Sequence, residues 1–367
     1  MSSACPTMVR RTSPARAFSV ESKPRVLFVI DSVLGHVTVH LRGLMFQEMF
    51  RRHGWDVDFV NLRTSGRRKL NSWTVRRAEN KIVRAAKKYD VVYLLKIASK
   101  RLVQRLRSES DVRVAFDLTD ALWQPIHRAH GWNDLEDILR LSDAITSEND
   151  FICAYGRKFN DTVLSIPVCT QIERFDRLCE QVPPRSDDRV IFGWVGSPGT
   201  VAALESIRQP LDRLFARHDH LHLRILGCGR AAIPTFEHVR YSTRPTYDEE
   251  EMIREILGMH IGLFPAPADI EDYRIRGALK AMLYMSGGAV PVCFNAGDSR
   301  NVIEDGVNGM LVDDTDQWFT KLDALATDAS RLKMMRRRAQ ESIRQGHSME
   351  HVFGRLEAVL VEIANLP

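Results

Sequence analysis

Arg274 and Arg276 precede a short amphipathic run from Gly277 to Met285, and Lys280 lies in its first turn. Cations at a helix start reinforce the free backbone N–H groups and the positive end of the helix dipole. The combination suits an anion, and phosphate is the usual one. An apolar stretch, His260–Phe264, comes before this run, and another, Val290–Phe294, comes after it. The helix start therefore falls at the carboxyl edge of a parallel sheet, where α/β proteins bind ligands. The plainer alternative is two solvated arginines and a lysine lying along the helix surface. A second set of polar groups sits in the turn Gly196-Ser197-Pro198-Gly199-Thr200. There Thr200 can cap a helix over Val201–Arg217. Two carboxylates, Asp117 and Asp120, close the element Asp117-Leu118-Thr119-Asp120 after a strand, and either can accept from a ligand hydroxyl or cap the next helix. Lys96 ends another strand at the same edge. Gly35 and His36 occupy the loop after the first strand.

The elements that must carry these residues form two series. Arg25–Ile30 is a continuous apolar run of the buried parallel-strand type, followed by a helix over Val37–His53 that Gly54 closes. Asp56–Leu62, Asp90–Leu95, Arg113–Phe116, Ala144–Thr146 and Val163–Ile166 read as further strands. Asp176–Arg189, with Pro183 and Pro184, has linker composition. The alternation then restarts with strands at Val190–Val195 and Leu221–Leu226. The fold class is α/β, with two Rossmann-like domains whose parallel sheets face an interdomain cleft. The expected order is a mobile tail (1–23), an N-terminal domain (24–175), a linker (176–189), a C-terminal domain (190–345) and a helix (346–367) packing back toward the N-terminal domain.

Composition narrows the class. The 367 residues exceed one ordinary core, and 44% hydrophobic with 27% charged residues fits a folded chain. No apolar run approaches the ~20 residues of a spanning helix. The six cysteines are scattered without metal-ligand spacing, which implies reduced thiols, a cytoplasmic location and no metal site. The tail is basic and rich in Ser and Ala but lacks a secretory apolar region. The net charge of +5 is concentrated between Arg63 and Lys88, where Glu79 is the sole acid. That run is either a solvated helix face or a surface for anionic lipid headgroups on the inner membrane face. No recognition helix or stacking motif accompanies it, so nucleic acid is not an expected partner.

Five stretches together resemble a known family. These are Asp90–Lys96 (DVVYLLK) with Phe116–Trp123 (FDLTDALW), then Asp143–Phe175, Gly193–Thr200 (GWVGSPGT), Arg274–Val292 and Asn301–Val312 (NVIEDGVNGMLV). Their order and composition are similar to the retaining GT-B glycosyltransferases of family four. The resemblance implies transfer of a sugar from a nucleotide-sugar donor, UDP- or GDP-linked, to a hydroxyl of a glycan or lipid-linked acceptor, with the anomeric configuration kept. It implies no cofactor and no metal, because protein cations and amides take the diphosphate charge. The donor site would lie mainly on the C-terminal domain, with Arg274, Arg276, Lys280 and an anion-binding nest of N–H and hydroxyl groups at Gly196, Ser197 and Thr200, and would include Gly35 from the N-terminal domain. The N-terminal domain would hold the acceptor. Asp120 would contact the sugar or the acceptor hydroxyl, with Lys96 and Asp117 nearby. His36 would bond a sugar hydroxyl or shuttle the acceptor proton, unless it is an ordinary loop histidine. Nothing pairs two carboxylates as a glycosidase requires. The chain departs from the family at Ile275 and Leu283, where relatives carry two glutamates, the second gripping the ribose. That leaves a second reading, a non-catalytic sugar-nucleotide-binding or partner subunit with the same fold.

Overall fold

The computed structural model describes residues 17–19, 21–31, 37–62, 71–128, 131–185, 188–266 and 273–367. Gly35 and His36, most of the N-terminal tail and the first part of the basic run, 63–70, lie outside the described residues. The chain divides into two compact units. The first gathers the chain up to Ser147 with Cys153–Ile166 and Gly354–Pro367; the second holds Glu148–Ile152 and Pro167–Phe353.

In the first unit, strands β1 (Val26–Ile30), β2 (Val57–Asn61), β3 (Val91–Leu95), β4 (Arg113–Asp117), β5 (Ala144–Ser147) and β6 (Val163–Ser165) form one sheet in the order β2-β1-β3-β4-β5-β6. Every pairing is parallel. All residues of β1 and β3 are buried, which is why both read as unbroken apolar runs. The helix expected over Val37–His53 is instead two short helices, Val37–Arg42 and Gln47–Arg52, interrupted at Gly43. A Cβ on Gly43 would fall 2.7 Å from Leu95 Cδ1, so glycine lets the backbone approach β3 at the expense of helix continuity. Gly54 ends the second piece at φ 69°. The C-terminal segment joins this unit through Glu357, whose Oε1 accepts from Trp55 Nε1 at 2.6 Å.

In the second unit, β7 (Val190–Val195), β8 (Leu221–Leu226), β9 (Tyr241–Arg244), β10 (Ile261–Phe264), β11 (Val290–Phe294) and β12 (Met310–Val312) form a parallel sheet in the order β12-β11-β10-β7-β8-β9. The stretch read as linker begins inside the helix Ile172–Cys179, which continues because Ile172, Phe175 and Leu178 are buried along one face. A single α-helix over Val201–Arg217 does not form. Val201–Ile207 is 3-10 and the α-helix starts at Arg208. Pro210 explains the break, since it has no N–H to give and its ring would collide with a preceding carbonyl inside a longer helix. Among the described residues no helix is long and apolar enough to cross a membrane, and Cys153, Cys169, Cys179, Cys228 and Cys293 are free thiols.

Candidate functional site

Both sheets reverse direction of growth once, between β1 and β3 in the first unit and between β7 and β10 in the second. The carboxyl ends of strands beside such a switch open into a crevice, because the connecting helices leave in opposite directions there. In the second unit β7 ends just past Trp194 and β10 ends at Phe264, and Lys280 reaches that point. Its Nζ lies 4.9 Å from the centre of the Trp194 ring and 5.3 Å from that of Phe264. Lys280 is half-buried and has no carboxylate partner among the described residues. Burial, and secondarily the Arg276 charge, push its ammonium down to about 8. Two aromatic faces compensate part of the lost hydration, but a cation–π contact is worth about 2 kcal/mol at most when dry. A half-buried cation held in this way can receive an incoming anion.

The helix carrying Lys280, Leu279–Ser286, is tied to both strands by one residue. The Tyr284 hydroxyl accepts from Val195 N at 2.9 Å and donates to Leu263 O at 3.1 Å. Its phenol is buried and its pKa raised, chiefly by burial. The preceding loop is held from beneath. Asn149 Nδ2 donates to Arg274 O at 3.2 Å and reaches Arg276 O at 3.5 Å, while its Oδ1 caps the next helix through Ile152 N at 3.1 Å. Asp298 N donates to Arg276 O at 3.2 Å. Gly297, at φ 59°, permits this approach, since a Cβ there would lie 2.5 Å from Arg276 O. Both arginines are exposed, Arg274 over the Phe151 ring (5.0 Å) and Arg276 over Tyr273 (5.9 Å). The structure thus brings Arg276 and Lys280 into one positive field with the backbone of the loop fixed.

The Gly196–Thr200 turn shares Trp194 with Lys280. A Cβ on Gly196 would lie 2.2 Å from the indole, so only glycine lets the chain leave β7 across that ring. The N–H groups of Gly196, Ser197 and Thr200 expected to face an anion are engaged within the fold, however. Gly196 N donates to Leu226 O (3.0 Å), Ser197 N to the Thr200 hydroxyl (3.1 Å) and Thr200 N to Ser197 O (2.9 Å). The Thr200 hydroxyl closes this turn and does not cap the following helix, because its lone pairs and proton are already engaged with Ser197. Gly199 is the amide left to a ligand, with open space around its Cα. Gly196 O is held by the Tyr247 hydroxyl at 3.0 Å.

In the first unit Asp117 and Asp120 part company. Asp117 is 1% exposed; its Oδ2 accepts from Arg42 Nε at 3.0 Å, and its Oδ1 accepts from Arg42 Nη2 (2.7 Å), Tyr93 (3.1 Å) and Thr146 (2.7 Å). Arg42 also donates to Ile166 O. The carboxylate is saturated by its own fold, so it is a structural node and not a ligand contact. Asp120 keeps 42% of its side chain exposed and forms an ion pair with Lys96. Lys96 adopts φ 56°, the left-handed region that a residue with a Cβ reaches at a cost of about 1–2 kcal/mol. Between them in the chain lies Thr119, 5% exposed, whose hydroxyl has no hydrogen-bond partner among the described residues. Sequence reasoning missed Thr119, Asn149 and the aromatic seat of Lys280. Asn149 carried one signal, an N-cap residue placed just after a strand. Among the described residues no group of three or more His, Cys, Asp and Glu stands close enough to hold a metal ion.

No protein-family model and no curated sequence matches the chain. Solved structures do. HepE from Anabaena, solved with UDP, is similar over 92% of this chain and 100% of its own, with a TM-score of 0.60 at 12% identity. Sucrose-phosphate synthase from Thermosynechococcus elongatus covers 92% of this chain and 99% of its own (TM-score 0.65, 15% identity). An alpha-glucosyltransferase solved with UDP-glucose and DNA gives the same coverage, with a TM-score of 0.64 and 14% identity. At such identities the likeness is one of architecture, and that architecture, two parallel six-stranded Rossmann-like sheets, is GT-B.

Proposed function

We propose that this GT-B chain is a glycosyltransferase that takes its sugar from a nucleotide-sugar and passes it to a hydroxyl with retention of configuration. One observation carries the reading: a half-buried lysine without a carboxylate partner, seated on Trp194 and Phe264 at the switch point of the second sheet. The neighbours solved with UDP or UDP-glucose, at 12% and 14% identity, support a nucleoside diphosphate as the anion. In the proposed mechanism the leaving diphosphate develops negative charge as the glycosidic bond breaks. Lys280, Arg274 and Arg276 meet that charge with preorganised cations, and Gly199 N–H adds a dipole, so the charge is stabilised without bound metal. Asp120, paired with Lys96, receives the acceptor hydroxyl or a sugar hydroxyl, and Thr119 supplies a further hydroxyl at that edge. The acceptor proton leaves with the departing phosphate or through the Asp120 carboxylate, so the chain needs no covalent nucleophile.

A second reading, a subunit that binds sugar nucleotides without turnover, draws on Leu283. Where a ribose-gripping glutamate is expected, this side chain packs into the apolar cluster around Leu257 and Tyr284. Thermal shift against UDP-, GDP-, ADP- and TDP-sugars, followed by donor hydrolysis with and without acceptors, decides between them. The transferase reading expects stabilisation by at least one donor, loss of it in Arg274→Ala and Arg276→Ala, and consumption of that donor. Binding without consumption by any acceptor leaves the second reading. We further propose an acceptor presented at an anionic membrane surface. The helix Ser72–Ala86 supports this, since it carries Arg76, Arg77, Lys81 and Arg84 beside Trp73, which is 67% exposed.

A further inference from the structure

Far from Lys280, at the amino ends of β7 and β10, the second unit contains a hollow of about 630 Å³. That volume is within the range of small-molecule sites. Arg185, Arg189, Arg224 and Arg254 line it, with Glu255 as the one carboxylate among its lining residues. Arg224 pairs with Glu255 at 3.2 Å and Arg254 with Glu250 at 3.0 Å, so their charges are compensated. Arg185 and Arg189 have no carboxylate partner among the described residues; Arg185 instead donates to the carbonyls of Met259 (2.7 Å) and Gly287 (2.5 Å). The hollow therefore holds a surplus of positive charge.

His260 is the second observation. It is 5% exposed, lines the hollow, and its Nδ1 accepts from Ile191 N at 3.1 Å. An acceptor Nδ1 places the proton on Nε2, which has no acceptor among the described residues. That N–H is available to donate to a ligand oxygen in the hollow. Burial first, then the charges of Arg336, Arg185 and Arg224, hold this imidazole neutral, down to about 4. His222 nearby is lowered for the same reasons, by burial and then Arg224, Arg189 and Arg240. Burial is the larger cause for both imidazoles, and the neighbouring guanidinium charges act in the same direction. Pro183 and Pro184 give the hollow an apolar wall.

We propose that this hollow binds a small phosphate-bearing anion, distinct from the anion at Lys280. Phosphate oxygens would accept from Arg189 and from His260 Nε2–H, with Arg185 adding charge behind them. The two sites stand at opposite ends of β10, about 13 Å apart at ~3.3 Å per residue, too far for one diphosphate to occupy both. The inference does not depend on the glycosyltransferase reading.

Inorganic diphosphate titrated calorimetrically onto the full chain tests it. Lys280→Met weakens the other anion site, and one binding event of unchanged affinity should persist in that variant. Adding Arg189→Glu, a change on an exposed side chain, should weaken that event by more than tenfold. In proton–carbon spectra of histidine-labelled protein, diphosphate should move the His260 and His222 signals and raise their titration midpoints. Titrating a simple sugar phosphate in parallel separates the two sources of the anion. Tighter binding than diphosphate assigns the proline wall to an organic moiety, and equal binding assigns the free ion. No binding to Lys280→Met at millimolar diphosphate, or binding that ignores Arg189→Glu with unmoved histidine signals, overturns the proposal.

Discussion

Lys280→Met should make the free protein more stable and the donor complex weaker, and pH should reveal both effects. The folded-state value of Lys280 lies at about 8 against an ordinary 10.5. The charged form is thus disfavoured in the fold, by about 3 kcal/mol at 1.36 kcal/mol per pH unit. The sign follows from proton counts. Below pH 8 folded and unfolded chains both carry the proton and the whole penalty is present. As pH rises from 8 toward 10.5 the folded chain gives up its proton first, the unfolded chain binds more, and stability rises. Methionine keeps the length and apolar bulk without the charge, so it escapes the penalty while losing the cation–π contact. The net gain at pH 7 should be about 1–2 kcal/mol, which for a unit of this size raises its melting temperature by several degrees. A bound diphosphate reverses the preference, because it favours the ammonium. The charged fraction of Lys280 in the free protein drops from about 0.9 at pH 7 to about 0.1 at pH 9, so affinity for UDP should fall about tenfold across that window. Calorimetric titration of UDP at pH 7, 8 and 9, beside melting curves at the same pH values, measures both. In Lys280→Met the affinity should be low and flat across the window. A variant that is less stable at pH 7, or one that binds UDP with the wild-type pH slope, would refute the assignment of this lysine.

The other expectations concern the first unit. Asp120→Asn should lower transfer by at least a hundredfold while leaving UDP affinity unchanged, as separate donor and turnover assays would show. Asp117→Ala takes the carboxylate partner from the buried Arg42 guanidinium, and should reduce stability by about 3–5 kcal/mol in denaturant unfolding. Lys96→Gly removes the left-handed strain along with the ion pair to Asp120. It should melt no lower than wild type while transfer falls, a combination that a merely structural lysine would not produce. Binding to vesicles of anionic lipid should weaken with added salt and drop severalfold in Trp73→Ala or Arg76→Glu/Arg77→Glu; equal binding to neutral vesicles contradicts the surface proposed for this helix.

What could be seen in the sequence depended on whether the cause was local. The strands β1, β3, β7 and β11 were legible because burial on both faces leaves only apolar residues, a signal contained within each strand. Strand β9 was not, since Tyr241–Arg244 is an edge strand exposed at every position and its sequence carries no periodicity of burial. The breaks at Gly43 and before Arg208 have different origins. Pro210 is a local signal, whereas Gly43 is explained only by Leu95, far along the chain. The site divides in the same way. Three cations at a helix start can be read from composition, but their value as an anion site depends on what surrounds Lys280. Trp194 and Phe264 are each unremarkable strand-end aromatics in the sequence. They become one seat because β10, the fourth strand of its series, returns to lie against β7, the first. Asp117 and Asp120 pose the same problem in reverse. Three residues apart in one element, they are equivalent as text, and Arg42 separates them by claiming one carboxylate for the interior. Long-range pairing therefore decides which of two like residues stays accessible, and in this chain it leaves Asp120 with Lys96 and buries Asp117.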